Sequence, residues 1–122
     1  MIMMEERTQE ELEWYMERFK RLIQVHLNEH EKTQKYPDEC TVVVKKGRKY
    51  WKIMVETPRS SIFTGGRRRI FGFVRRKDGA ILRAANMKAP EVRTKNPVRG
   101  YIWDEDAGDT FSWTGISYDL AT

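Results

Sequence analysis

The chain has 122 residues, of which 39% are hydrophobic and 34% charged, with a formal net charge of +5 and a single cysteine. That length suits one domain, 1–122, burying its own core without metal or disulfide, and Cys40 alone makes no internal disulfide, which fits a reducing compartment. No apolar run approaches the roughly 18–20 residues of a membrane span, and Met1-Ile2-Met3-Met4 is too short for a signal peptide and runs into acidic residues.

Charge is divided along the chain. Residues 1–34 hold five basic and eight acidic residues, 35–103 hold eighteen and five, and 104–122 hold none and five. A basic middle of this kind concentrates anions near it; the competing reading is a solvated basic sheet face partly answered by the acidic tail.

Thr8-Gln9-Glu10-Glu11 has the form of a capping box, which satisfies the orphan amides at a helix start. Leu12, Tyr15, Met16, Phe19, Leu22, Ile23, His26, Leu27 and His30 follow at steps of three and four, predicting a helix from about Gln9 to Gln34, within 8–35, that stops before Tyr36-Pro37. Trp14 and Val25 fall off this stripe, leaving a second face available to another copy of the chain. His26 and His30 lie one turn apart, but the zinc-hydrolase glutamate beside the first histidine is missing, so polar-edge or interface histidines are the better reading.

From residue 39 to 122 the pattern becomes that of an antiparallel β region. Thr41–Lys45 and Tyr50–Val55 read as a hairpin across Gly47-Arg48. Breaks follow at Thr57–Ser61 and at Thr64-Gly65-Gly66. A third strand, Arg68–Arg76, turns at Lys77-Asp78-Gly79 into a fourth near Ala80–Arg83. Pro90 and Pro97 leave 84–100 as a long loop of functional length. Tyr101–Trp103 and Thr110–Trp113 flank an acidic turn and predict a last hairpin, with Ile116–Leu120 as an edge strand. The expected fold is α+β: a long N-terminal helix packed on a mainly antiparallel sheet of five to six strands.

Phe71 and Phe73 are two apart, so regular alternation turns both rings to one face, with Ile70, Gly72 and Val74 on the other. Exposed, they form a stacking platform for bases; buried, they fill the core under the helix. Gly72 between them leaves room for close approach. Arg67, Arg68, Arg69, Arg75, Arg76, Arg83 and Arg99 supply guanidinium forks matched to phosphate oxygens, and Lys88 adds a point charge. The stretch 67–101 has no histidine or cysteine, and its only carboxylates are Asp78 and Glu91. Ser60, Ser61 and Thr64 have no neighbouring base in sequence, so binding without turnover fits better than catalysis. No cofactor is expected.

The octapeptide Arg69–Arg76 is similar to the first ribonucleoprotein motif of RNA-recognition domains, departing at Ile70 and Arg76. The order of elements differs from those domains, so the likeness is one of stacking chemistry. A longer stretch, from about Tyr50 to Tyr118, resembles a group of small bacteriophage proteins, the Thoeris anti-defence sponges. The likeness is carried by Arg68–Val74, Lys77-Asp78-Gly79, Arg83–Pro90 and Val98-Arg99-Gly100, with a departure at Met87, where tryptophan is expected. It implies a protein of the bacterial host cytoplasm that sequesters a cyclic ADP-ribose signal, or another cyclic nucleotide, intact between the subunits of a homodimer or larger assembly. On this reading Phe71 or Phe73 stacks the base, Arg68, Lys88 and Arg99 hold the phosphates, and Asn86 meets an adenine or ribose edge. The alternative is a single-stranded RNA or DNA binder using the same strand, and a nucleotide-cleaving enzyme stands third for want of a base.

Overall fold

The computed structural model describes residues 7–35, 39–57, 67–112 and 114–116. The Tyr36-Pro37 stop, the breaks and hydroxyls of 58–66 and the strand expected over 117–120 lie outside them. Helix α1, Gln9–Lys32, opens on the expected capping box: Glu11 N–H donates to Thr8 Oγ1 at 3.1 Å and Thr8 N–H to Glu11 Oε1. Leu12, Met16, Phe19, Ile23 and Leu27 form its buried stripe. Leu22, expected on that stripe, is 38% exposed, because the step from Phe19 to Ile23 already fills the contact and turns it to the flank. Trp14 and Val25 are 63% and 60% exposed on the opposite side.

Five antiparallel strands in sequential order make the sheet: β1 (Thr41–Lys46), β2 (Tyr50–Thr57), β3 (Arg67–Arg75), β4 (Ala80–Leu82) and β5 (Val98–Tyr101). A separate two-stranded hairpin follows, β6 (Phe111–Ser112) with β7 (Gly115–Ile116). The fold is therefore α+β, one long helix on an antiparallel sheet. Two boundaries differ from the sequence reading. The loop ends at Pro97, since Val98–Gly100 pair with β4 as an edge strand. No hairpin joins Tyr101–Trp103 to Thr110–Ser112; the chain turns after Tyr101 and winds through a 3-10 turn, Ala107–Thr110, before β6 pairs with β7. Short strands with bulges carry too little alternation for periodicity to find them.

The α1 stripe meets Val42, Trp51, Ile53, Val55, Val74 and Ile81 in the main core. Gln24 fixes the helix to the open edge of β1, its Nε2 donating to Cys40 O at 2.6 Å and its Oε1 accepting from Val42 N–H at 2.9 Å. Arg18 Nη2 donates to Ile102 O and Asp104 O at 3.1 and 2.8 Å, holding the turn after β5 against the helix.

One irregularity decides which side chains face the helix. Ile53 pairs with Gly72 and Met54 with Ile70, so Phe71 is an extra residue in β3, a bulge. It breaks the alternation on which a shared face for the two phenylalanines depended. Phe71 turns toward α1, 2% exposed, with its ring 5.7 Å from that of Phe111, which packs in turn on Phe19. Phe73 faces the other side of the sheet, 3% exposed, edge-on to Tyr50. The close approach allowed by Gly72 is taken by the protein itself: a Cβ there would stand 2.3 Å from Ile116 Cγ1.

Gly72→Ala is expected to cost about 1–3 kcal/mol by overpacking, against a smaller gain from stiffening the unfolded chain. Combined with Ile116→Ala, the two losses should sum to less than their separate values by about 1 kcal/mol or more. Additive losses in urea unfolding would mean that β7 does not rest on Gly72.

Candidate basic cleft

The residues expected to form the site do not meet. Arg68, exposed at the start of β3, is ion-paired with Glu56. Asn86 is spent on its own loop, its Oδ1 accepting from Lys88 N–H at 2.7 Å and Ala89 N–H at 3.0 Å, while the Lys88 side chain is exposed. Arg99 is half-buried in β5, with a buried Nε that has no hydrogen-bond partner among the described residues. No hydrogen bond or ion pair joins Arg68, Asn86, Lys88 and Arg99 among the described residues. With Phe71 and Phe73 buried on opposite faces, the aromatic platform is not there. Neither ring can stack a base without unpacking the sheet.

Positive charge gathers instead at one end of the sheet. An antiparallel meander puts the β1–β2 and β3–β4 turns at the same end, and the start of α1 lies there too. Gln9 Nε2 donates to Arg76 O at 2.9 Å. Between these elements lies a cleft of about 410 Å³. Arg48 and Lys49 line it from the first turn, Arg75, Arg76 and Lys77 from the second, and Tyr50 and Gln9 complete the wall. Five cations thus share a lining that contains no carboxylate among the described residues.

Two of these cations, Arg75 and Arg76, are held in place by neighbouring turn groups. Arg76 ties the two turns together, its Nη1 donating to Gly47 O at 2.8 Å and Arg48 O at 3.2 Å, and its backbone N–H to Lys49 O at 2.9 Å. The second turn needs Gly79 at φ 78, because a Cβ there would stand 2.9 Å from Ile102 Cγ1 and 3.1 Å from Leu12 Cδ2. Asp78, just behind the lining, receives a bidentate fork from Arg75, Nε to Oδ1 at 3.0 Å and Nη2 to Oδ2 at 2.7 Å, and its Oδ1 also accepts from Ala80 N–H. The fork leaves Arg75 Nη1 without a partner among the described residues. The α1 start adds scaffold rather than field, since Glu10 and Glu11 in its first turn offset the helix dipole.

Partial burial pushes the Asp78 carboxyl up, but the Arg75 hydrogen bond, the Ala80 amide and the charges of Arg75 and Lys77 outweigh it, leaving the group below its usual value. The hydrogen bond to Asp78 raises Arg75 against the opposing pull of burial, with the Tyr101 and Tyr50 phenols adding to the rise.

Sequence reasoning named the hairpins but did not combine them. Lys45-Lys46-Gly47-Arg48-Lys49 and Arg75-Arg76-Lys77-Asp78-Gly79 each place cations around turn residues, and the parity of the meander alone brings them together. The histidine pair forms no metal site. The His26 ring packs edge-on to Phe111 at 5.4 Å, His30 contacts Gln34, and no group of three His, Cys, Asp or Glu side chains among the described residues could hold a metal. No helix among them is long and apolar enough to cross a membrane.

Residues 2–118 match a family of unknown function, DUF7717, and the chain belongs to that family. No curated protein and no solved structure matches the chain.

Because the Asp78 pKa is lower in the folded chain than the unfolded value of about 3.9, its contribution is complete above that value and drains as pH falls through the folded pKa. The stability gap between wild type and Asp78→Asn should be largest above about pH 5 and shrink below about pH 4. A gap unchanged with pH in urea unfolding would remove the Arg75–Asp78 fork as a contributor.

Proposed function

We propose that this protein binds a phosphate-bearing ligand in the basic cleft and holds it without cleaving it. The observation that supports this most directly is the lining itself: five cations converge from two turns on a space of about 410 Å³ with no carboxylate among them. Guanidinium and ammonium groups at such density suit phosphate oxygens, and the volume falls in the range of about 300–1,000 Å³ typical of small-molecule sites. The described lining also offers no imidazole, thiol or carboxylate to act as a general base, and arginine does not give up its proton near neutral pH. Retention therefore fits the side chains better than turnover.

The resemblance to anti-defence sponges gives this reading its specific form, sequestration of a cyclic ADP-ribose isomer or other cyclic nucleotide by a homodimer or larger assembly in the cytoplasm of the bacterial host. The phosphate clamp moves from Arg68, Lys88 and Arg99 to Arg48, Lys49, Arg75 and Lys77. A second reading is favoured by one feature: Arg48, Lys49 and Lys77 are exposed at the turn tips, as contacts to the backbone of single-stranded RNA or DNA would be.

Native mass spectrometry of the full chain with cyclic ADP-ribose isomers, cyclic dinucleotides and a short oligonucleotide separates these readings. A retained signal, recovered intact after denaturation at fixed stoichiometry, is the expected result; release of cleaved products would make the protein an enzyme. Binding should weaken at least about tenfold in the triple variant Arg48→Ala/Lys49→Ala/Lys77→Ala, and unchanged affinity would remove the cleft from the site. An oligonucleotide making three or more phosphate contacts should lose about a hundredfold in affinity per tenfold rise in salt, whereas an enclosed small ligand should lose far less.

A further inference from the structure

The strand registers set a second group of residues beside the cations. On the sheet face opposite α1, Tyr50 pairs with Arg75 and Ala80 pairs with Tyr101, while the turn joins Arg75 to Ala80. Tyr50, Arg75, Ala80 and Tyr101 therefore form one row across four strands at the end of the sheet that carries the cleft. With neighbouring strands about 4.8 Å apart, the row spans roughly 14 Å. Ala80 is wholly buried and forms its floor, while both tyrosines remain half-buried with surface to offer.

Each ring is braced from behind. Tyr50 stands edge-on against buried Phe73, with centroids 6.0 Å apart at 74°. Tyr101 is stacked on Trp103 at 4.8 Å and 25°, and Trp103 is itself pinned by its Nε1 donating to Asp78 O at 3.0 Å and by the Arg7 guanidinium 3.9 Å from its ring. Between them Arg75 is locked by its fork to Asp78, with both phenols close enough to act on its charge. Rings and guanidinium are thus held in place before any ligand arrives, which lowers the entropy lost on binding.

We propose that the Tyr50–Arg75–Tyr101 row is the subsite for a planar aromatic group on the phosphate-bearing ligand. The ligand is then a nucleotide, with its base against the tyrosines and its phosphates toward Arg48, Lys49 and Lys77. This rests on the cleft being the phosphate site. It supplies what Phe71 and Phe73 cannot, because tyrosines at the end of the sheet present ring surface without unpacking it. Arg75 stands where base and phosphate meet and can serve either, by stacking or through its unpartnered Nη1.

Calorimetry of the full chain with pyrophosphate and with adenosine, guanosine and uridine diphosphates tests the subsite, with Trp103-sensitive fluorescence as a second readout. At least one nucleoside diphosphate is expected to bind about tenfold or more tighter than pyrophosphate, as stacking on a ring would give, and to change the fluorescence. Tyr50→Leu/Tyr101→Leu should erase that preference, so that nucleotides bind no tighter than pyrophosphate measured on the same variant, while Tyr50→Phe/Tyr101→Phe should retain it. If the double leucine variant does not fold, each single leucine variant is read against the same ligands, and each should lose part of the preference. Nucleotides binding no tighter than pyrophosphate, or a preference untouched by loss of the rings, would overturn the subsite and leave the phosphate cleft standing. Failure of pyrophosphate and all the nucleotides to bind would overturn both.

Discussion

A single unpaired residue in β3 governs how the rest of this chain is arranged. With Phe71 bulged opposite Ile53 and Met54, side chains on its two sides fall out of the alternation that a regular strand would impose. Phe71 swings under α1 and completes a ring cluster with Phe19 and Phe111. Phe111 belongs to the terminal hairpin, so the bulge also gives that hairpin its anchor, and the bare Cα of Gly72 lets Ile116 settle against β3. Gly115 makes the reciprocal approach, since a Cβ there would stand 2.9 Å from Phe71 O. Bulge, glycine pair and hairpin act as one device. None would be stable in this form alone, because a two-residue pairing such as β6–β7 has too few hydrogen bonds to persist without a packed face.

At the far end of β3 the same strand delivers Arg75 and Arg76 into a turn whose position is fixed by the core. Gly79 lies under Leu12 and Ile102, so the depth of the turn is set by apolar contact. Asp78 then orients Arg75, and Arg76 latches onto carbonyls of the neighbouring turn. The cleft is consequently a by-product of packing decisions made a few residues away, which gives Arg75 and Arg76 defined positions. Placing a binding surface at loop tips carried on a rigid sheet is a common solution for this reason.

How much of this the sequence displayed depends on the length of each pattern. The helix was legible almost to the residue, because Thr8–Glu11 and five buried positions over 24 residues repeat one physical preference many times. The first four strands were legible from their β-branched and aromatic runs and the Asp78-Gly79 turn. Val98–Tyr101 was not, since a four-residue edge strand with a bulge beside Arg99 offers no alternation to count. The faces of Phe71 and Phe73 were the costliest miss: period-two reasoning is sound only while the ladder is regular, and nothing local to Ile70-Phe71-Gly72 announces the extra residue except the glycine. Arg68 and Asn86 were read as ligand contacts from their motif positions in the resemblance, yet each already has a partner, in Glu56 and in its own loop.

Five cations around one cleft also mean that the fold tolerates repulsion it could have avoided. A like-charge pair about 8–10 Å apart costs only about 0.4–0.5 kcal/mol in water, and less once salt screens it, so the repulsion is modest pair by pair. Among the described residues, the C-terminal carboxylates Asp104, Glu105, Asp106 and Asp109 do not answer it. Ion pairs among the described residues join Glu29 to Lys32, Glu13 to Lys46, Glu56 to Arg68 and Asp78 to Arg75, and none of them draws on Asp104, Glu105, Asp106 or Asp109. A solvated basic face balanced by the acidic C-terminal segment would place those carboxylates beside the turns. Among the described residues, Asp78 aims Arg75 from behind the lining, and Glu13, paired with Lys46, lies close enough to Arg76 to feel its charge. On the proposed function, a bound phosphate supplies the rest of the balancing charge.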